Sequence, residues 1–269
     1  MFESIGRSIE LFGTSWGILM ADKKLLVFPF LSGIISLIVL ATFILPLIIG
    51  GILGEVVFYI ALFAFYLVSY FVVIFFNTAL VSCVNARLQG KEMSVGEGIS
   101  NALRHFTSIL GWALVSATVG ILLHILKERG GVFGKIASAL VGGAWGLVTF
   151  FVVPVLVLED KGVFDAIKES TALIRKTWGE SIIGSGSIML VFFIIGVIGF
   201  LGTLATLMLG SLAVFGIALL LFIALVIVLA VVAAAMQGIF VTALYTYART
   251  GRVPSAFRSD LIQNAFVQK

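Results

Sequence analysis

The chain has 269 residues, of which 61% are hydrophobic and only 11% charged, with a formal net charge of +4. A soluble globular domain carries about 25% charged residues, so this composition, with a mean hydropathy of +1.23, excludes a soluble fold and predicts an integral membrane protein. The positive balance does not predict a nucleic-acid partner. That would need basic residues gathered on one soluble face, and here they fall in short clusters between long apolar runs.

The first predicted element is an amphipathic helix with Phe2, Ile5, Ile9, Phe12, Trp16 and Leu19 on one stripe and Glu3, Ser4, Arg7, Ser8 and Ser15 between them. Such a helix lies in the membrane interface or packs its stripe on a neighbour. Asp22, Lys23 and Lys24 mark the membrane edge. A spanning helix needs about 20 apolar residues, and the first span is predicted at 25–49. It is too long for the apolar core of a signal peptide, about 7 to 15 residues, and is expected to be retained. Gly50 to Gly54 turn the chain into span two, 55–87, which exceeds the membrane thickness and must tilt or protrude. Glu55 at its outer end is within reach of water.

Ser94-Val95-Gly96-Glu97 fits a capping box that opens a second amphipathic helix. Span three is predicted at 106–125, followed by the charged turn Lys127-Glu128-Arg129-Gly130-Gly131. Span four covers 132–158, with a kink at Pro154 near its end. The third amphipathic helix is centred on Phe164 to Gly179 and follows Glu159, Asp160 and Lys161. Span five is predicted at 182–207, a turn at Gly210-Ser211, and span six at 212–249. In the tail, Phe257, Leu261 and Ala265 form a further short apolar stripe.

These elements repeat. Laying Trp16 over Trp178 aligns Phe2 with Phe164, Ser8 with Ser170, Leu11 with Leu173 and Gly17 with Gly179; Ile99, Leu103, Phe106, Leu110 and Gly111 form a weaker copy. Thr78-Ala79-Leu80 recurs as Thr242-Ala243-Leu244, followed in both places by Ala-Arg and then Gly with a basic residue. A duplicated unit accounts for these matches. The expected fold is therefore an all-α integral membrane protein, a single membrane domain of six transmembrane helices in three repeats of amphipathic helix plus transmembrane hairpin. The repeats cover 1–87, 88–158 and 159–249, with a cytoplasmic amphipathic tail at 250–269. Of the 17 Lys and Arg residues, only Lys127, Arg129 and Lys135 fall opposite the termini. The positive-inside rule then places both termini and all three amphipathic helices in the cytoplasm of a multi-pass cell-membrane protein.

Buried ionisable groups mark proton relays, ion coupling and catalysis in membranes, and the spans contain almost none. His105 and His124 share span three, but nineteen residues of helix set them about 28 Å apart, too far to share a metal or haem. Each is expected to hydrogen-bond a neighbour. Cys83 is the single cysteine, without a disulfide partner or ligand cluster, and reads as packing. Gly184-Ser185-Gly186-Ser187 lacks the histidine a serine intramembrane protease requires. Gly130 to Lys135 imitates a phosphate-binding loop without its first glycine. No catalytic residue, cofactor or metal is expected.

What remains is polar or small. Asn77 and Gln237 fall about 15 and 18 Å along their helices from Arg87 and Arg249, at similar depths, and read as an interhelical hydrogen bond or a polar constriction. Trp16, Phe106 and Trp178 are candidate interfacial anchors. Gly142 and Gly146 form a GxxxG pair, and Gly196, Gly199 and Gly202 stud span five, as close-packing faces within the protein or between copies.

The block Phe150-Phe151-Val152-Val153-Pro154-Val155-Leu156-Val157-Leu158-Glu159-Asp160, followed by Ala166-Ile167, Ser170, Leu173 and Trp178, resembles the signature of a prokaryotic membrane-protein family of unknown function. Ser15-Trp16, Asp22 to Pro29 and Phe75 to Leu80 are similar to it too. The resemblance implies the six-span fold and transfers no catalytic residue. In layout alone, amphipathic helices interleaved with spans are similar to CysZ-type sulfate-permeation proteins.

Two functional expectations follow. The first is a non-enzymatic scaffold or accessory subunit, engaging membrane lipid, other copies in a homo-oligomer or a membrane-protein partner through its interfacial helices and glycine faces. The alternative is a channel or facilitator for a small solute or ion, with Asn77 and Gln237 on the path. Coupled transport and enzymatic chemistry are disfavoured by the missing buried charge.

Overall fold

The computed structural model describes residues 2–50, 54–209 and 211–251, with side chains described for 12–46, 54, 56–175, 188–208 and 211–251. Every regular element among them is helical. α1 is Phe2–Ala21, α2 Val27–Gly50, α3 Glu55–Leu88, α4 Val95–Arg104 and α5 Phe106–Arg129; α6 is Gly131–Val148, α7 Val152–Leu158, α8 Val163–Ala205 and α9 Leu212–Thr250. Six stretches among the described residues are long and apolar enough to cross a membrane, α6 and α7 together forming the fourth. We call the end holding α4, the α7–α8 linker and the last turn of α9 basal, and the end holding the α5–α6 turn distal.

Packing is concentrated toward the basal end. On α3 the buried residues run from Val72 to Ala86, on α5 from Ile109 to Ala117, on α7 from Val152 to Val157 and on α9 from Ala235 to Tyr245. The repeated triplets are buried alike, Thr78, Ala79 and Leu80 on α3 and Thr242, Ala243 and Leu244 on α9. α3 and α9 pack against each other. Their crossing is close at Gly238, where a Cβ would fall 2.5 Å from the Leu80 side chain.

The three amphipathic segments meet their spans in three different ways. After α1, Asp22 accepts a hydrogen bond from the Lys24 backbone N–H at 3.3 Å and starts a 3-10 turn, Lys23–Leu26. Between α4 and α5 there is a single break at His105. The third segment runs without a break into its span, giving α8 43 residues. α1 packs on α8 and α9, so it docks on the bundle. Its docked face is offset from the hydrophobic stripe. Ser15 and Leu19 are fully buried while Trp16 stays 40% exposed, because the small serine occupies the position nearest the bundle.

α4 forms where the capping box predicts. The Ser94 hydroxyl accepts from the Glu97 N–H at 3.2 Å, and the Glu97 carboxylate accepts from the Ser94 N–H at 2.7 Å. That bond to the Ser94 backbone holds the Glu97 carboxyl below the usual carboxylate range. The helix presses onto α3 through Gly98, where a Cβ would fall 2.7 Å from the Cys83 sulfur and 3.1 Å from the Ala79 carbonyl oxygen. Asn101 fixes its register by donating to the Ser82 hydroxyl at 2.8 Å.

Candidate functional site

The sequence places Asn77 and Gln237 at similar depth; the structure places both on the wall of one cavity of about 490 Å³. Tyr70 and Leu80 of α3, Trp112 and Ser116 of α5, and Pro29 and Ser32 of α2 complete much of the wall. Trp112 and Trp145 pack with centroids 5.8 Å apart across it. No carboxylate, amine, guanidinium or imidazole belongs to the lining. Two amides, a phenol and a few hydroxyls offer hydrogen bonds to a neutral guest. Basal to the cavity along the same helices, Val84 of α3 and Ala243 and Leu244 of α9 are buried.

One wall of the cavity is a broken helix. The predicted kink at Pro154 is instead a full interruption at residues 149–151, and Pro154 takes the third position of the new helix α7. In an unbroken helix its ring would clash with the carbonyl of residue 150; in a first turn its missing N–H costs nothing. The break diverts the local hydrogen bonds. Phe150 N–H goes to Leu147 O at 3.2 Å and Val152 N–H to Thr149 O at 3.1 Å, which leaves the Phe151 N–H and the Val148 carbonyl without helical partners. Ser170 of α8, fully buried, serves both. Its hydroxyl donates to Val148 O at 2.6 Å and accepts from Phe151 N–H at 3.0 Å. The interruption turns Phe150 into the cavity wall and sets Phe151 against Tyr245 of α9, with centroids 6.2 Å apart.

Below it lies a charge latch that sequence reading missed. Arg249 of α9 donates to Glu169 at 2.6 Å and to Glu159 at 2.7 Å. Lys161 meets the same two carboxylates at 3.0 and 2.7 Å, and the Tyr245 hydroxyl donates to the remaining Glu159 oxygen. Two anions and two cations close a neutral square that joins the α7–α8 linker and the first turns of α8 to the last turns of α9. The hydrogen bond to Glu159 is the main cause that raises the Lys161 amine above its usual range, followed by that to Glu169. The bond from Lys161, with Arg249 nearby, lowers the Glu169 carboxyl. The only signal in the sequence is Tyr245 and Arg249 one helical turn apart, facing a charged linker across 80 to 90 residues of chain.

The other expected residues are dispersed. Phe106 begins α5, 44% exposed and edge-on to Phe71. Trp16 stacks on Phe12, which touches Phe192 of α8. The side chains of Trp178, Glu55 and Gly184 to Ser187, and the whole tail from 252, lie outside the described residues. Gly199 sits 3.1 Å, by its would-be Cβ, from Leu225 of α9, and Gly142 makes ordinary contact with Leu123 of α5. Gly146, Gly196 and Gly202 face open space within the chain. The closest helix approaches are instead at Gly98 and Gly238, which belong to no motif. His105 has Nδ1 2.8 Å from Asn101 O and Nε2 3.5 Å from Asp160, and no group of three or more metal-binding side chains occurs among the described residues.

No curated protein matches the sequence. A family profile matches residues 56–255, from the start of α3 to just past the end of α9, taking in the cavity pair, the Ser170 bridge and the latch. The opening block around Trp16 and Asp22 lies before the matched region. The chain belongs to that family, DUF6159, a family of unknown function.

Proposed function

We propose that the protein is a non-enzymatic membrane scaffold, latched at a basal end that faces the cytoplasm, whose apolar helix faces engage lipid and a neighbouring membrane protein. One observation carries this reading. Within the most apolar 18-residue window of α9, no residue is buried in the chain, and Ile217, Leu220, Leu221 and Val228 are each more than half exposed. α9 packs on α8, yet these side chains are left uncovered by the chain and are covered by something else in the membrane. The charge bias supports the orientation, and the matched motifs support three related units. A photo-crosslinking residue at Leu221, activated in native membranes, is expected to give a discrete protein adduct. A lone monomer bearing lipid adducts only, with membrane properties independent of the protein, overturns the reading.

The cavity favours a second reading, a facilitator for a small neutral solute. Its volume exceeds that of one water, about 30 Å³ in the liquid, many times over, and both Asn77 and Gln237 reach it. It stands second because buried apolar side chains, Val84, Ala243 and Leu244, lie basal to the cavity.

A further inference from the structure

The α5–α6 turn is built so that only glycine fits it. Gly134 donates to the Gly130 carbonyl at 2.8 Å, Gly131 has φ +57°, and a Cβ on Gly134 would fall on the Leu126 carbonyl oxygen. This tight reversal sets the last turn of α5 beside the first turn of α6. Lys127 and Lys135 flank it, and both line a cavity of about 400 Å³ shared with α3.

The lining mixes cationic, polar and apolar groups. At about 1.5 Å per residue, Lys127 stands about 3 Å and Lys135 about 6 Å from the distal end of its helix. His124 is about 7 Å in from the end of α5, and Tyr66 about 16 Å in from the start of α3. The walls therefore combine two amines near the distal helix ends with an imidazole, the Ser138 hydroxyl, and the apolar or aromatic groups of Leu123 and Tyr66. No carboxylate lines the cavity, and among the described residues neither lysine is in an ion pair. Leu122, Ile136 and Leu140 on the same two helices are more than half exposed, giving apolar surface beside the two amines.

We propose that this cavity binds an anionic glycerophospholipid, its phosphate held at Lys127 and Lys135 and its acyl chains lying on the apolar faces of α5 and α6. A free phosphate shares the headgroup chemistry but has no use for the apolar flank. The proposal goes beyond the scaffold reading and does not depend on it, since a facilitator could carry the same lipid.

Native mass spectrometry of the delipidated full-length protein tests it, with phosphatidylglycerol and phosphatidylcholine of identical chains as probes. Phosphatidylglycerol is expected to bind about tenfold or more tightly than phosphatidylcholine. The Lys127→Gln/Lys135→Gln double variant is expected to lose that preference. Arg129→Gln, on the same turn but outside the cavity lining, is expected to keep it, and millimolar inorganic phosphate is expected not to displace the lipid. Equal binding of the two lipids, an unchanged preference in the double variant, or an equal loss in Arg129→Gln overturns the proposal. Displacement by inorganic phosphate overturns it in favour of a free-anion site. All variants change exposed side chains, and an unfolding transition matching the parent shows that each is folded.

Discussion

Ser170→Ala is expected to lower the unfolding free energy in detergent by about 3 kcal/mol. The estimate rests on two backbone groups. With the hydroxyl gone, the Phe151 N–H and the Val148 carbonyl are left in a fully buried site, each costing about 1–3 kcal/mol where water does not reach. A single lost side-chain hydrogen bond would cost about 1 kcal/mol, so the size of the loss separates a helix-bridging serine from an ordinary one. Because Phe150 leaves the break toward the cavity and Phe151 toward Tyr245, the variant is also expected to loosen α9. Hydrogen exchange should rise at residues 148–152 and near Tyr245. An effect under about 1 kcal/mol, with unchanged exchange, means the break is stable without Ser170.

Arg249→Gln is expected to cost about 1 kcal/mol after solvent screening of a partly exposed guanidinium, since it leaves Glu169 to Lys161 and Glu159 to Lys161 and the Tyr245 hydroxyl. Tyr245→Phe is expected to cost about 1 kcal/mol, and the two changes together less than their sum, because both act on Glu159. The sign of the pH dependence follows from the shifts. The lowered Glu169 contributes stability that is present above its ordinary carboxylate value and is lost as pH falls through the depressed value. The raised Lys161 contributes stability that is present below its ordinary value and is lost as pH rises through the elevated one. Unfolding midpoints of the parent should therefore decline at both extremes, and the acid decline should flatten in Arg249→Gln, where part of what lowers Glu169 is gone. Additive losses, or an unchanged acid limb, would show that the latch does not act as a unit.

Local features were legible in the sequence and distant ones were not. Hydropathy located six spans because each apolar run announces itself. Ser94 to Glu97 announced α4 because a capping box lies within four residues. Depth counted along α3 and α9 brought Asn77 and Gln237 to one level, and the cavity contains both. The latch was illegible because Arg249 stands 80 and 90 residues from its partners, and charges near a membrane edge read as solvated loop. Ser170 was visible only as a repeat match to Ser8 and as part of a resemblance, with no role attached, since its partners are backbone groups freed by a break 19 and 22 residues earlier. Glycine motifs misled for a related reason. A GxxxG spacing fixes a helix face and says nothing of whether a neighbour is there, so Gly146 is open while the solitary Gly98 and Gly238 carry the tight crossings.

The scaffold reading is tested most directly by solute and ion flux into liposomes containing the purified, folded protein, with Asn77→Leu and Gln237→Leu alongside. A scaffold whose basal half is packed gives flux no greater than that of empty liposomes, for the parent and both variants. Selective flux that either variant abolishes would contradict it and make the cavity, with its two amides, the path of a facilitator.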